Sequence, residues 1–92
     1  MPRLNFTPNL ERHLGTRSLE LPANCGDTLR EVFDAAFARL PLARAYILDD
    51  QGGVRRHVAV FVDGQLVSER QRLAASVASD AEIWIMQALS GG

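Results

Sequence analysis

Residues 26–41 read Gly-Asp-Thr-Leu-Arg-Glu-Val-Phe-Asp-Ala-Ala-Phe-Ala-Arg-Leu-Pro. Thr28, with Glu31 three positions later, is a capping box: the hydroxyl takes one free N–H of a first helical turn and the carboxylate takes another. Leu29, Val32, Phe33, Ala36, Phe37 and Leu40 then recur at spacings of three, four and one. That spacing predicts an amphipathic helix over about 27–40, which Pro41 stops. A single apolar stripe needs a second layer to cover it, so the segments on either side decide the architecture.

Those segments have strand periodicity. Residues 3–7 alternate, with Leu4 and Phe6 on one side, and residues 17–21 alternate with Leu19 and Leu21 inward. The stretch between them holds Pro8, Asn9 and Gly15 and reads as a turn or an irregular helical piece, so the two strands are expected to form a hairpin. After the helix, 45–48 is a candidate short strand and Asp49-Asp-Gln-Gly-Gly53 is turn chemistry. Val58-Ala-Val-Phe-Val62 is rich in β-formers and runs into Asp63-Gly64, a strong hairpin signal, with a return strand over 65–68. Leu73 and Val77 are expected to plug the core from an irregular or 3₁₀ segment. Residues 82–89, starting Glu-Ile-Trp-Ile-Met-Gln, are the last strand and the most apolar, which places it centrally. The order β-β-α-β-β-β suits an α+β fold: a mixed sheet of four to five strands with one main helix packed across it.

The chain has 92 residues and a formal net charge of −1, so one domain with one modest core is expected, burying roughly 60–65% of the unfolded surface. That leaves little room for a deep catalytic cleft. The near-neutral balance argues against a nucleic-acid binder, which normally shows a basic excess. No apolar run approaches the roughly 20 residues of a membrane span. The opening MPRLNFTPNLERH has no long apolar segment of the secretory kind. One cysteine, Cys25, excludes an internal disulfide and a multi-cysteine zinc site. A reduced, cytoplasmic protein is the expectation.

Most single residues have bland readings. His13 and His57 lack metal-ligand spacing with Cys25, so no metal site is expected. Cys25 stands just before a helix start, where a thiol pKa can fall, but no base lies near it in sequence, and it reads as structural. Arg55-Arg56 is a solvated edge or a steering charge for an acidic partner. Gln51-Gly52-Gly53 is a loop, not a phosphate-binding motif. All ten basic residues are arginine, which a GC-rich genome explains, as it does the twelve alanines. A lysine-free chain is also one that cannot acylate its own side-chain amines.

Strand parity proposes a surface. With Val58, Val60 and Val62 facing the helix, Ala59 and Phe61 face outward; with Ile83 and Ile85 inward, Trp84 and Met86 face outward. These four would form an exposed apolar patch, the mark of an interface. An inverted parity, or an N-terminal segment lying over the patch, would remove it.

The helix opening Gly26-Asp-Thr-Leu, the strand Val58-Ala-Val-Phe-Val-Asp-Gly64, the Asp80-Ala-Glu-Ile83 turn into the last strand and the ending Ala88-Leu-Ser-Gly-Gly92 occur in that order. In this the chain resembles the ThiS/MoaD family of small sulfur-carrier proteins, and within it the CysO-like branch. The resemblance implies the ubiquitin-like β-grasp fold, with residues 1–88 as the domain and 89–92 as a flexible tail. It also implies a chemistry. The Gly92 carboxylate attacks the α-phosphate of ATP, and sulfur from a sulfide or persulfide donor displaces AMP to leave a thiocarboxylate. Gly91 and Gly92 suit this because bare backbone threads a channel that any Cβ would block. Leu89 and Ser90 would lead the tail into the partner. The chain departs from the family's frequent proline before the last small residues; Gln87-Ala88 stands there. Nothing follows Gly92, so no proteolytic maturation is expected. The implied protein is a carrier and not an enzyme. Its partners would be a ubiquitin-activating-type adenylyltransferase using ATP and Mg²⁺, a sulfur donor enzyme and a sulfur-acceptor biosynthetic enzyme. Two other functions fit the same ending: a ubiquitin-like modifier conjugated through Gly92, and a non-reactive β-grasp interaction module.

Overall fold

The main helix, α2 (Leu29–Arg39), begins at the capping box. Thr28 Oγ1 accepts from the Glu31 N–H at 3.4 Å. One Glu31 carboxylate oxygen accepts from the N–H groups of Asp27 at 3.0 Å and Thr28 at 3.1 Å. The Asp27 N–H, then the Thr28 hydroxyl and N–H, hold the Glu31 carboxyl below the usual carboxylate range. The predicted stripe is the buried one: Leu29, Val32, Phe33, Ala36 and Phe37 all lie in the core. The structure, a computed structural model, describes residues 1–67 and 72–87.

The helix packs across a five-stranded mixed sheet of β1 (Arg3–Phe6), β2 (Ser18–Glu20), β3 (Val58–Val62), β4 (Gln65–Leu66) and β5 (Glu82–Gln87), in the order β2-β1-β5-β3-β4. Strand β5 is central, parallel to β1 and antiparallel to β3. Its Ile83 and Ile85 are fully buried, beside Leu4 and Phe6 on one flank and Val62 and Val60 on the other. The β3–β4 turn has Asp63 and Gly64 at φ 50° and 85°, the paired left-handed conformation that Asp-Gly tolerates. The far end of the core is plugged as expected: Leu73, in a 3₁₀ turn at Arg72–Ala74, and Val77 are both buried. Backbone bonds from Leu29 N–H to Ala75 O and from Val77 N–H to Asp27 O tie this segment to the start of α2.

Of the two readings for the link between β1 and β2, the helical one holds: it is a helix, α1 (Pro8–Leu14), with Pro8 at its start, Gly15 at φ 78° closing it, and Leu10 and Leu14 buried. One connection differs from the sequence expectation. Residues 45–48, expected as a strand, instead end a second short helix, α3 (Leu42–Ile47). Helix formers fill this segment, and Ala43 and Ile47, one turn apart, are buried together. Only Leu48 keeps extended geometry, bridging Val54 across a loop in which Asp49 Oδ1 accepts from the N–H groups of Gln51 and Gly53. Among the described residues no helix is long and apolar enough to cross a membrane.

Candidate partner-docking face and tail root

The register sets what the outer sheet face presents. Asn5, Trp84, Phe61 and Leu66 lie in one cross-strand row on β1, β5, β3 and β4. Met86 and Ala59 pair in the adjacent row. Trp84 and Met86 are each 43% exposed, while Phe61 and Ala59 are half-buried between them. The parity read from the sequence therefore holds, and the N-terminal segment does not cover Trp84 or Met86. Leu66, 61% exposed, joins the row and was missed. Its signal was present: a two-residue Asp-Gly turn pairs Phe61 with Leu66 and so puts them on one face.

Polar groups bound this patch. Arg3 lies between Glu20 and Glu82, at 3.6 and 3.8 Å, in a half-exposed ion-pair row across β2, β1 and β5. Such pairs contribute little stability, but they mark where the apolar surface ends. Asn5 is the one buried polar side chain among the described residues, and its amide donates to Ile83 O at 3.3 Å.

At the other end of β5 the chain passes out of the described region after Gln87. Asn9 Nδ2 donates to Gln87 Oε1 at 2.9 Å, joining α1 to the last residue of the strand. His13 stacks on Tyr46, ring centroids 4.9 Å apart, joining α1 to α3. The predicted tail residues Leu89, Ser90, Gly91 and Gly92, and the 88/89 domain boundary, lie outside the described residues.

Cys25 agrees with its structural reading. Burial pushes its thiol up, ahead of any lowering by the nearby backbone, so the helix-start location does not activate it. No three histidine, cysteine or acidic side chains among the described residues cluster to hold a metal ion.

The sequence matches the ThiS family profile over residues 9–92. The chain belongs to the ThiS family. ThiS family members are small carrier proteins and not catalysts, which fits a domain whose described residues bury one core and present an open apolar face. Solved structures share the β-grasp fold over the whole chain. SAMP1 from Haloferax volcanii is 20% identical, with a TM-score of 0.84 over 99% of this chain and 98% of its own. A chain of the Amycolatopsis orientalis BexX/CysO complex is 24% identical, with a TM-score of 0.84 over all of both chains. Mycobacterium tuberculosis CysO is 23% identical, with a TM-score of 0.81 over 97% of this chain and 100% of its own. No curated protein sequence matches the chain.

Proposed function

We propose that this ThiS-family chain is a sulfur carrier activated at Gly92. The observation that carries the reading is the family match, which runs through the Gly91-Gly92 ending. A C-terminal carboxylate is ionised at neutral pH and is a poor acyl electrophile. Attack of its oxygen on the α-phosphate of ATP releases pyrophosphate and forms an acyl-adenylate. Hydrosulfide then adds at the acyl carbon and AMP leaves, carrying the C–O bond's electron pair. The product is a thiocarboxylate, with one proton released. The chain supplies the acyl group and a docking face; the partner adenylyltransferase supplies ATP, Mg²⁺ and the groups that stabilise the transferring phosphate.

The Trp84, Met86, Phe61, Leu66 and Ala59 surface is the docking face in this reading. Aromatic residues and methionine are enriched in interface cores, and no described segment covers Trp84, Met86 or Leu66. Leu89 and Ser90 would lead Gly91 and Gly92 into the nucleotide site. A sulfur donor enzyme and an acceptor biosynthetic enzyme complete the partner set. Dependence on ATP and on reduced sulfur suits the cytoplasm.

The likeness to SAMP1, a small archaeal modifier protein, favours a second reading, in which the same activated Gly92 acylates amines of other proteins. Intact-mass spectrometry after incubation with ATP, a ThiS-type activating enzyme and sulfide tests the first reading. The expected result is replacement of one oxygen by sulfur, localised to a fragment ending in Gly91-Gly92. Localisation is required because oxidation of Met1, Met86 or Cys25 gives nearly the same nominal shift. An unmodified C-terminal fragment, with the enzyme active on another carrier, would refute it. Amide conjugates to other proteins would establish the second reading.

A further inference from the structure

The surface around Gln87 is chemically distinct from the apolar sheet face. An open groove of about 270 Å³ is lined by Ala45 and Tyr46 of α3, Arg55 and His57 before β3, and Gln87 at the end of β5. Its polar groups are fixed so as to present donors. Arg55 Nε donates to Ala45 O at 2.9 Å, which anchors the guanidinium, and among the described residues its terminal nitrogens have no acceptor. Gln87 Oε1 is occupied by Asn9, so the Gln87 amide offers its N–H₂ group. Tyr46 is held by its stack on His13. Among the described residues no carboxylate lines the groove, and none pairs with Arg55 or Arg56. Asp49, one of the two acidic residues in the loop before Arg55, accepts on one carboxylate oxygen from the N–H groups of Gln51 and Gly53.

Charge is also graded along the sheet. At the opposite end of β5 the strand register gathers Glu20, Asp63 and Glu82, with Arg3 between the two glutamates and the Arg39 guanidinium on Glu20 O. Arg55, Arg56 and His57 lie just before Val58, which pairs with Gln87. The Gln87 end of β5 thus has three basic side chains next to its partner Val58 in sequence, while the glutamates at the opposite end are already met by Arg3 and, at Glu20, by Arg39.

We propose that the Tyr46–Arg55–His57–Gln87 groove is a second docking site, which receives a carboxylate side chain from an acidic rim on the protein that takes the tail. A planar guanidinium with free terminal nitrogens matches a carboxylate in a two-point bond. Because the groove adjoins the last described residue of β5, an ion pair there fixes the direction in which the tail enters. The apolar face supplies contact area, and the groove supplies orientation and long-range attraction, which decays over about 8 Å at physiological salt. This inference rests on the carrier reading only for the identity of the partner; the groove's preference for carboxylate stands separately.

The first test is a ¹⁵N-resolved NMR titration of the whole chain with an acetylated, amidated tetraglutamate peptide. Tetralysine, inorganic phosphate and ATP are the comparison ligands. The expected result is saturable shifts at residues 45–46, 55–57 and 87 with tetraglutamate, lost at high salt. Arg55→Gln should weaken the binding about ten-fold, the loss expected for one charge-assisted bond, and Arg55→Lys should restore part of it. Dispersed parent-like spectra show that each variant is folded. Shifts centred on the sheet face, equal binding by Arg55→Gln, or phosphate or ATP binding as tight as tetraglutamate would overturn the proposal. The second test is carrier-dependent pyrophosphate exchange by an activating enzyme, where Arg55→Gln should raise KM and flatten its salt dependence. An unchanged KM and salt dependence would overturn the proposal. No exchange by the parent chain would instead count against the carrier reading, and the titration would still decide the groove.

Discussion

Adjacent residues of β5 have opposite roles, so Ile85→Ala and Trp84→Ala should separate cleanly into a stability variant and a binding variant. Ile85 is fully buried at the centre of the sheet, against Phe6 and Val60 in neighbouring strands. Truncation removes three carbons, about 2.4 kcal/mol of transfer free energy at ~0.8 per methylene. The cavity left in a core that is held on three sides raises the total to about 3–4 kcal/mol. A domain of this length has a stability on the order of 5–14 kcal/mol, so the loss is a large fraction of it. The midpoint temperature should fall by roughly 12–30 °C. Trp84 is 43% exposed and its indole packs in the row with Phe61, so its removal leaves no cavity. Its loss should cost about 1–1.5 kcal/mol, from the cross-strand pair and strand preference. Urea unfolding followed by far-UV circular dichroism is the assay, because Trp84 is the single tryptophan and its fluorescence disappears in one variant. With an activating enzyme, Trp84→Ala should lower kcat/KM more than about ten-fold, as loss of a central aromatic contact does. If Trp84→Ala destabilised as much as Ile85→Ala, or if Ile85→Ala fell within about 1 kcal/mol of the parent, the assigned sheet faces would be wrong.

Further outcomes follow from the start of α2 and the residues just before it. Thr28→Ala removes the cap that accepts from Glu31 N–H and should cost about 1 kcal/mol in the same unfolding assay. Glu31 has its carboxyl held low by the Asp27 and Thr28 donors, so its contribution is present above the ordinary carboxylate range and is lost as pH falls through the folded value. Glu31→Gln should therefore flatten the acid side of the stability profile, and an unchanged profile would refute the capping role. At Gly26 an added Cβ would sit 2.3 Å from Glu31 Cβ, a clash no rotamer change relieves, so Gly26→Ala should destabilise by about 1–3 kcal/mol. The raised Cys25 thiol should also be alkylated more slowly in the folded chain than in urea at the same pH, measured with iodoacetamide.

What was legible in the sequence was whatever local chemistry determines. The capping box, the Asp63-Gly64 turn and the alternation in 58–62 and 82–86 each specify backbone and side-chain direction within a few residues, and the docking face follows from them. Leu42–Ile47 was misread because six residues carry barely more than one turn of periodicity, and only its partner layer distinguishes helix from strand there. The i, i+4 pair of Ala43 and Ile47, after a proline, was the available signal. The Thr7-Pro8 start and the Leu10/Leu14 spacing were similar signals for α1. The groove at Gln87 was not legible at all. It is assembled from α3, the segment before β3 and the end of β5, and no local pattern encodes that meeting. Arg55-Arg56 announced a charge but not a location.

The parallel pairing of β1 with β5 has a mechanical consequence. The chain enters the sheet through β1 and leaves it through β5, side by side and pointing the same way. A pull applied beyond Gln87 against an anchored N-terminal end loads the hydrogen bonds between these two strands in shear, so they must fail together. Strands that peel apart from one end, as β3 and β4 can at their turn, fail one bond at a time. Under the proposed function, a partner that held the residues beyond Gln87 would therefore pull along the direction in which this domain resists force best, and the domain would be released under load without unravelling.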